Sequence, residues 1–515
     1  MKKIIHTIIL TFTAFFGFSQ LDVISTDSIR LEEVEPGTGT SGGPLITGGP
    51  DTTNKVGSKL VYWIHGLSGN QHSWNRVQAV TEDQTGTFVP GYSERDVEGL
   101  AYSYSGHENL DIFQLGGFTN NEVEQWRVSI PRRDTLEVRK NFIIAHSQGG
   151  LVSRAMRYKN IQDSANFHWQ FGAMATFGSP HGGAEIINSS RNGGPIRKWL
   201  NWGCTILGAA EIETFVGSKW WLDGLISSSA IHDFSSRSCD KLNKTALTIL
   251  VNSFRKPVTA DYAIGARNLS KLDSMAFLDT MPVVTFYSTE KEPVMWRTIH
   301  SLTYSTDTSL SGSILTTDPF GLNNDQELPT KINNNIADYI SQKNKWNTIA
   351  RNRTIATLIP FLGVVFIYGA NGAAEKAIVF DKAARWLGTA NGNWKRFIGA
   401  RRDTSYQDGY HCECLVDLGG TNGYDFQYFH VQTTQDCENI PALRRNIKPK
   451  IVNTLIDEEN DGVVTVSSQT AYPNSIKVKM VETNHMQQRN SIETRNKLNE
   501  LFEGRHGSEF KLDKK

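Results

Sequence analysis

Asn141-Phe-Ile-Ile-Ala-His-Ser-Gln-Gly-Gly150, continued by Leu151-Val-Ser-Arg-Ala-Met-Arg157, is the stretch on which the reading of the fold turns. Phe142 to Ala145 is an apolar run of strand length, and the helix after it carries Leu151, Val152 and Met156 on its apolar side. A serine among small residues joins the two. Such a strand–turn–helix is the setting in which a nucleophile elbow lifts a serine hydroxyl out of a sheet. Ala145, Gly149 and Gly150 suit it because a large side chain in so sharp a turn would strike the neighbouring strand or helix. Ser147 is the candidate nucleophile.

A serine hydroxyl at neutral pH needs a base to take its proton, usually a histidine oriented by a buried carboxylate. On this fold the chain order is Ser, then the acid, then His, each at a strand end. The chain has 13 histidines. His6 sits in the N-terminal apolar segment, and His65, His72, His107 and His146 precede Ser147. His485, in Glu482-Thr-Asn-His-Met486, directly follows Ile476 to Met480, where apolar residues alternate with Lys477 and Lys479 in the manner of a sheet-edge strand. His506 is the runner-up, in a polar tail. The acid belongs in Asp457-Glu-Glu-Asn-Asp-Gly-Val-Val464, where Asp461-Gly462 makes a turn and Val463-Val464 re-enters apolar surroundings. Asp461 is the choice, with Glu290 at the end of Pro282-Val-Val-Thr-Phe-Tyr287 as the competing acid. The same acidic run could hold a structural calcium through carboxylate oxygens, although it lacks EF-hand spacing. No other cofactor is expected.

The oxyanion of an acyl-transfer intermediate needs two convergent N–H donors. One is the backbone N–H of Gln148, next after the nucleophile. The other should come from His65-Gly66-Leu67, at the end of the apolar strand Leu60-Val-Tyr-Trp-Ile64, where Gly66 lets the backbone approach and Leu67 (or Ser68) donates.

Apolar strands separated by helical segments imply a mainly parallel sheet covered on both faces. Besides the strands already quoted, Phe171-Gly-Ala-Met-Ala-Thr-Phe177 is of buried type and ends at Gly178-Ser-Pro-His-Gly-Gly183. The expected organisation is a core over residues 58–184, a cap insertion over 185–280, a core strand at 281–290, a second insertion over 291–450, the rest of the core at 451–505 and a tail at 506–515. Both insertions far exceed ordinary connections, so each should have structure of its own. The first is rich in tryptophan (Trp199, Trp202, Trp220, Trp221), which suits a cap that is either core-packed or in contact with substrate. In the second, IATLIPFLGVVFIY (355–368) is too short and too broken by Pro360 and Gly363 for a membrane span. It reads as a buried segment, or as an element touching a lipid surface in passing.

Residues 1–19 read as a secretory signal: Lys2-Lys3, an apolar stretch from Ile4 to Phe18, and Gly17-Phe18-Ser19 as cleavage site. A secreted or periplasmic location follows, with residues 20–57 as a flexible leader rich in Gly, Thr and Pro toward its end. Lys+Arg and Asp+Glu are both 53, so charge gives no lean toward nucleic acid, and no obligate protein partner is implied. Export permits disulfides among the five cysteines. Cys204 with Cys239, and Cys412 or Cys414 with Cys437, are the expected pairings. A zinc site using His411 and His430 beside Cys412 and Cys414 is the alternative, against which stands the Cys-x-Cys spacing.

With these residues in view, the chain resembles secreted bacterial lipases and esterases of the α/β-hydrolase superfamily. The pieces that carry the resemblance are YWIHGLSG, AHSQGG, FGSPHGG, NDGVV and ETNH, in family order; Ala145 departs from the usual glycine in a way the family tolerates. The resemblance implies an α/β-hydrolase fold with Ser147, Asp461 and His485 as triad and Leu67 and Gln148 lining the oxyanion hole. It makes Ser-Pro-His-Gly-Gly a structural loop, so His181 receives no catalytic role. The expected activity is cleavage of carboxylic esters, lipid esters first. The alternatives are acyl transfer or amide hydrolysis on the same residues, and a non-catalytic binding protein on the same fold.

Overall fold

The computed structural model describes residues 45–47, 59–70, 73–74, 77, 99–129, 138–191, 194–200, 202–203, 206–207, 210, 253–277, 279–303, 328–356, 363–417, 424–489 and 491–512. Residues 1–19 and the pair Cys204 and Cys239 lie outside them, as do Trp220 and Trp221.

The main sheet has seven strands. In chain order these are β1 (Leu45–Thr47), β2 (Val61–Ile64), β3 (Gly99–Tyr102), β4 (Phe142–His146), β5 (Ala173–Phe177), β6 (Val283–Ser288) and β10 (Ile476–Met480). Their spatial order is β1-β3-β2-β4-β5-β6-β10; all pairings are parallel except that of β1 with β3. This is the α/β-hydrolase fold. Strands β2, β4, β5, β6 and the edge strand β10 fall on the apolar and alternating runs of the sequence; β3 is an addition to them, and β1 lies inside the segment expected to be leader.

Alternation along the strands builds both layers of the core. Tyr62, Ile64, Leu100, Ile143, Ala145 and Met174 face the helices α1 (Ile112–Ser129) and α2 (Gln148–Gln162), which supply Leu115, Trp126, Leu151, Val152 and Met156. Val61, Trp63, Phe142, Ile144, Ala175, Phe177 and Phe286 face the opposite way, onto Leu498, Leu501 and Phe502 of α6 (Ile492–Phe502). Phe177 and Phe286 stack at a centroid separation of 4.3 Å across β5 and β6. Full burial of a ring of this size contributes roughly 2–3 kcal/mol. The C-terminal segment is part of this layer rather than a tail: Phe510 and Leu512 are buried in it, and the Phe510 ring meets Phe142 edge-on.

The second insertion is a long helical hairpin followed by a small sheet. Helices α4 (Leu328–Ala356) and α5 (Gly363–Phe397) pack along each other, with α3 (Val294–Thr303) against α5. The sheet has the order β8-β7-β9, all antiparallel, from β7 (Arg401–Asp417), β8 (Tyr424–Val431) and β9 (Arg444–Asp457). The expected boundary at residue 450 therefore falls inside β9, and the insertion runs on to Asp457. Trp199 of the first insertion stacks on Trp386 of α5 at 5.0 Å, so this tryptophan joins the two insertions. Of the stretch 355–368, the described residues end α4 and begin α5; among the described residues no helix is long and apolar enough to cross a membrane.

Cys412 is bonded to Cys437, while Cys414 is a buried free thiol. That removes Cys412 from the zinc alternative. His411 and His430 sit opposite each other across β7 and β8, and Lys450 lies 3.1 Å from His430 Nε2, an unsuitable neighbour for a cation.

Candidate active site

Ser147 occupies the one-residue corner between β4 and α2, with φ 51° and ψ −124°. A non-glycine residue so held stores about 1–3 kcal/mol of backbone strain, which the surrounding packing must hold in place. Its N–H donates to Phe177 O (2.9 Å), which ties the corner to β5. A Cβ on Gly149 would lie 2.5 Å from His65 O and 2.6 Å from Ile64 O, so α2 can start this close to the end of β2 only with glycine there. Gln148 is the first residue of α2, where the N–H has no acceptor within the helix and the helix dipole favours negative charge.

The structure brings Ser147, His485 and Asp461 into one hydrogen-bonded relay. His485 Nε2 lies 2.9 Å from Ser147 Oγ, and His485 Nδ1 lies 2.7 Å from Asp461 Oδ2. Both His485 and Asp461 are buried. Asp461 Oδ1 accepts the N–H groups of Val463 (3.0 Å) and Val464 (2.7 Å), a consequence of the turn that Asp461-Gly462 makes. The His485 N–H donates back to Asp461 O at 2.8 Å. His485 itself opens a short turn that Asn484 caps, its side-chain oxygen accepting from the N–H of Met486 and Gln487. Glu290 is not the carboxylate at His485: its Oε1 accepts the Lys291 N–H, and its backbone N–H is spent on Asn460 O. His506 pairs with Glu500 instead.

The remaining carboxylates of the acidic run have protein partners, which does not suit a calcium site. Asp457 bridges Arg401 and Lys395, Glu458 accepts the Ser467 N–H, and Glu459 pairs with Lys479.

On the other side of Ser147, the Gly69 N–H donates to Gly66 O, so Leu67 and Ser68 are the middle of a tight turn that uses neither of their own N–H groups. A Cβ on Gly66 would fall 2.9 Å from both His146 Nδ1 and Ser147 Cβ; the loop carrying Leu67 is pressed against Ser147. Ser68 has φ 57° and is tethered from the end of the first insertion. Its Oγ lies 2.7 Å from Ser253 Oγ and accepts from Lys256 Nζ at 3.2 Å, while Lys256 also pairs with buried Glu108 at 2.8 Å.

Three further histidines nearby are buried and kept neutral. Burial pushes His65 down to about 4, and its ring stacks on Tyr104 while Nδ1 sits 2.6 Å from Gly66 O. Burial, then the neighbouring His485 and Arg489, hold His146 well below the ordinary imidazole value; its Nε2 lies 2.8 Å from His485 O and so braces that loop. His181 is likewise well below, through burial and then Arg154; its Nε2 bonds to Thr176 Oγ1. Two supports had no sequence signal of their own. One is His146; the other is Trp394 of α5, whose indole N–H donates to Gly462 O at 2.8 Å and props the Asp461 turn from the hairpin.

No family model matches the chain, and no curated protein matches it in sequence. Among solved structures it is similar to Bacillus licheniformis lipase BlEst2 in mature form, at 11% identity and a TM-score of 0.28, over 48% of this chain and 72% of that one. The propeptide form of the same lipase gives 12% identity and a TM-score of 0.23 over 45% and 36% of the two chains.

Proposed function

We propose that this chain is an exported serine hydrolase that cleaves carboxylic esters, those of lipids first. The reading is carried by the relay Ser147–His485–Asp461, at 2.9 and 2.7 Å, on a strained corner at the end of a parallel sheet. His485 Nε2 takes the Ser147 proton as Oγ attacks the ester carbonyl. Asp461, facing Nδ1, holds the ring in the tautomer that leaves Nε2 free to accept. The oxyanion is received by the N–H groups of Gln148 and Leu67. His485 then protonates the leaving alcohol, the acyl group stays on Ser147, and water activated by the same imidazole releases the acid.

The test is a panel of short- and long-chain acyl esters together with a fluorophosphonate probe. The expected result is labelling of Ser147 in the folded wild type, ester hydrolysis, and loss of both in Ser147→Ala with the Tm unchanged. The residual rate should lie some 10³–10⁶-fold below wild type. Labelling without hydrolysis, with ester products outweighing free acid when an alcohol is added, would make the chain an acyltransferase. A folded chain that takes no probe would be a binding protein.

A further inference from the structure

We infer that Gln488 is a positioning residue of this site: its side-chain amide shares the Asp461 carboxylate oxygen that faces His485, and so sets how strongly His485 holds a proton. The inference rests on the hydrolase reading for its kinetic expression but not for its geometry.

Asp461 Oδ2 has two partners. His485 Nδ1 lies 2.7 Å away, and Gln488 Nε2 donates to the same oxygen at 2.8 Å. The two side chains reach one oxygen because His485 and Gln488 lie three residues apart on a single turn, closed by the Gln488 N–H donating to Asn484 O at 3.1 Å. Gln488 is completely buried. Its amide orientation follows from fixed backbone groups. Gln469 Oε1 must accept the Ser288 N–H (3.0 Å), while Gln469 Nε2 donates to Val464 O (3.1 Å) and Ser288 O (3.3 Å). That leaves Gln469 Oε1, 3.4 Å from Gln488 Nε2, as a second acceptor for the Gln488 amide. Turning the Gln488 amide over would set its oxygen against two acceptor oxygens, so nitrogen faces Asp461.

Room for this side chain comes from the FGSPHGG loop. A Cβ on Gly178, where φ is 58°, would lie 2.6 Å from Gln488 Nε2. The loop that sequence similarity marked only as structural is thus the wall against which the amide is seated.

A carboxylate oxygen already accepting a bond from a neutral amide is a weaker partner for a second donor. Gln488 therefore weakens the bond that Asp461 Oδ2 makes to His485 Nδ1 while keeping the carboxylate aimed. The groups facing His485 are Asp461 from the turn after β9, Ser147 from the elbow, and His146 from the end of β4, whose ring centroid is 4.9 Å away. His146 is neutral through burial, and buried Arg489 lies on the Gln488 turn. At the exposed start of the loop Glu482 is paired with Lys291. Among these Gln488 is the neutral donor placed on the oxygen that His485 uses.

The test combines two variants with two readouts. Gln488→Leu removes the donor, and Gln488→Glu keeps the shape but puts a second carboxyl on Asp461. The readouts are the midpoint of the acid limb of kcat/KM for a chromogenic short-chain ester, and the titration of the His485 imidazole by NMR of the 15N-histidine-labelled protein. In Gln488→Leu both midpoints should move up by roughly 0.5–1 pH unit, and in Gln488→Glu further still. Midpoints within about 0.2 unit of wild type in either folded variant would reduce Gln488 to packing and overturn the inference, whatever happens to the Tm. A downward shift would overturn it as well. Gln488→Glu is the arm that serves if the leucine variant does not fold. If wild type hydrolysed no ester and took no fluorophosphonate while the imidazole titration still shifted, the hydrolase reading would fail and the role of Gln488 would stand.

Discussion

Acid should destabilise this protein well above the pH at which its carboxylates are protonated, because three imidazoles are buried in neutral form around the site. His65 titrates at about 4 in the folded chain against 6.5 unfolded. Between those values the unfolded chain binds the extra proton, so stability falls as pH falls. The contribution is fully present above about pH 6.5 and is lost progressively toward pH 4. From pH 8 to pH 5 the His65 shift alone amounts to about 2 kcal/mol. His146 and His181, also held well below the ordinary value, act in the same direction. The carboxylates cannot mimic this window. Glu108, raised by burial but lowered on balance by Lys256 and by its backbone and His65 neighbours, and Asp457, lowered by Arg401 and then Lys395, both lie below their ordinary values. Their shares are lost only below about pH 4.5. Thermal unfolding followed by tryptophan fluorescence at pH 8, 6.5 and 5 should show Tm falling by at least about 4 °C over the range, most of it below pH 6.5. His65→Gln, which cannot take the proton, should flatten the slope by its share even if its absolute Tm is lower. A Tm level from pH 8 to pH 5, or an unchanged slope in that variant, would refute the claim that these rings are buried neutral.

Two further outcomes follow from packing. Gly149→Ala forces a methyl to within 2.6 Å of two backbone oxygens at the end of β2, which have no flexible neighbour to displace. It should lower stability by about 1–3 kcal/mol and turnover along with it, since α2 and the Leu67 loop are pushed apart; denaturant midpoints and ester hydrolysis would both read this. The bond from Cys412 of β7 to Cys437, in a short helix between β8 and β9, closes a separation of 25 residues, worth about 3 kcal/mol to that unit by loop entropy. Cys412→Ser should make β7–β9 more susceptible to proteolysis while ester hydrolysis is retained, because the bond does not touch the Ser147 site. Loss of hydrolysis in parallel with proteolysis would show that the sheet is needed to hold the Asp461 turn.

Much of this site was legible because its chemistry is local. The run Phe142 to Ala145, the small residues about Ser147 and the helix after them each state a backbone preference within a few residues. Asn484 beside His485, and Gly462 beside Asp461, likewise make the turns that carry these two side chains. The small sheet and β3 escaped notice for the opposite reason. Strand β7 is mostly polar and β3 (Gly-Leu-Ala-Tyr) opens on a glycine and has no β-branched residue, so neither has the apolar run that marks a buried strand.

The sequence by itself determined a parallel α/β core, a serine at its elbow and a Ser–acid–His order, since alternation, turn chemistry and chain order need no distant contact to be read. Only the tertiary structure decided that Asp461 rather than Glu290 reaches His485. Glu290 follows the core strand β6 while Asp461 follows β9 of the small sheet, and the choice depends on how residues far apart in the chain are stacked beside β6 and β10. It also decided that Cys412 pairs with Cys437 and that Trp394, from a helical hairpin, props the Asp461 turn. Such contacts join segments whose neighbours in sequence carry no trace of them. For the same reason Gln488 is one glutamine among many in the sequence, and a partner of Asp461 once the turn has closed.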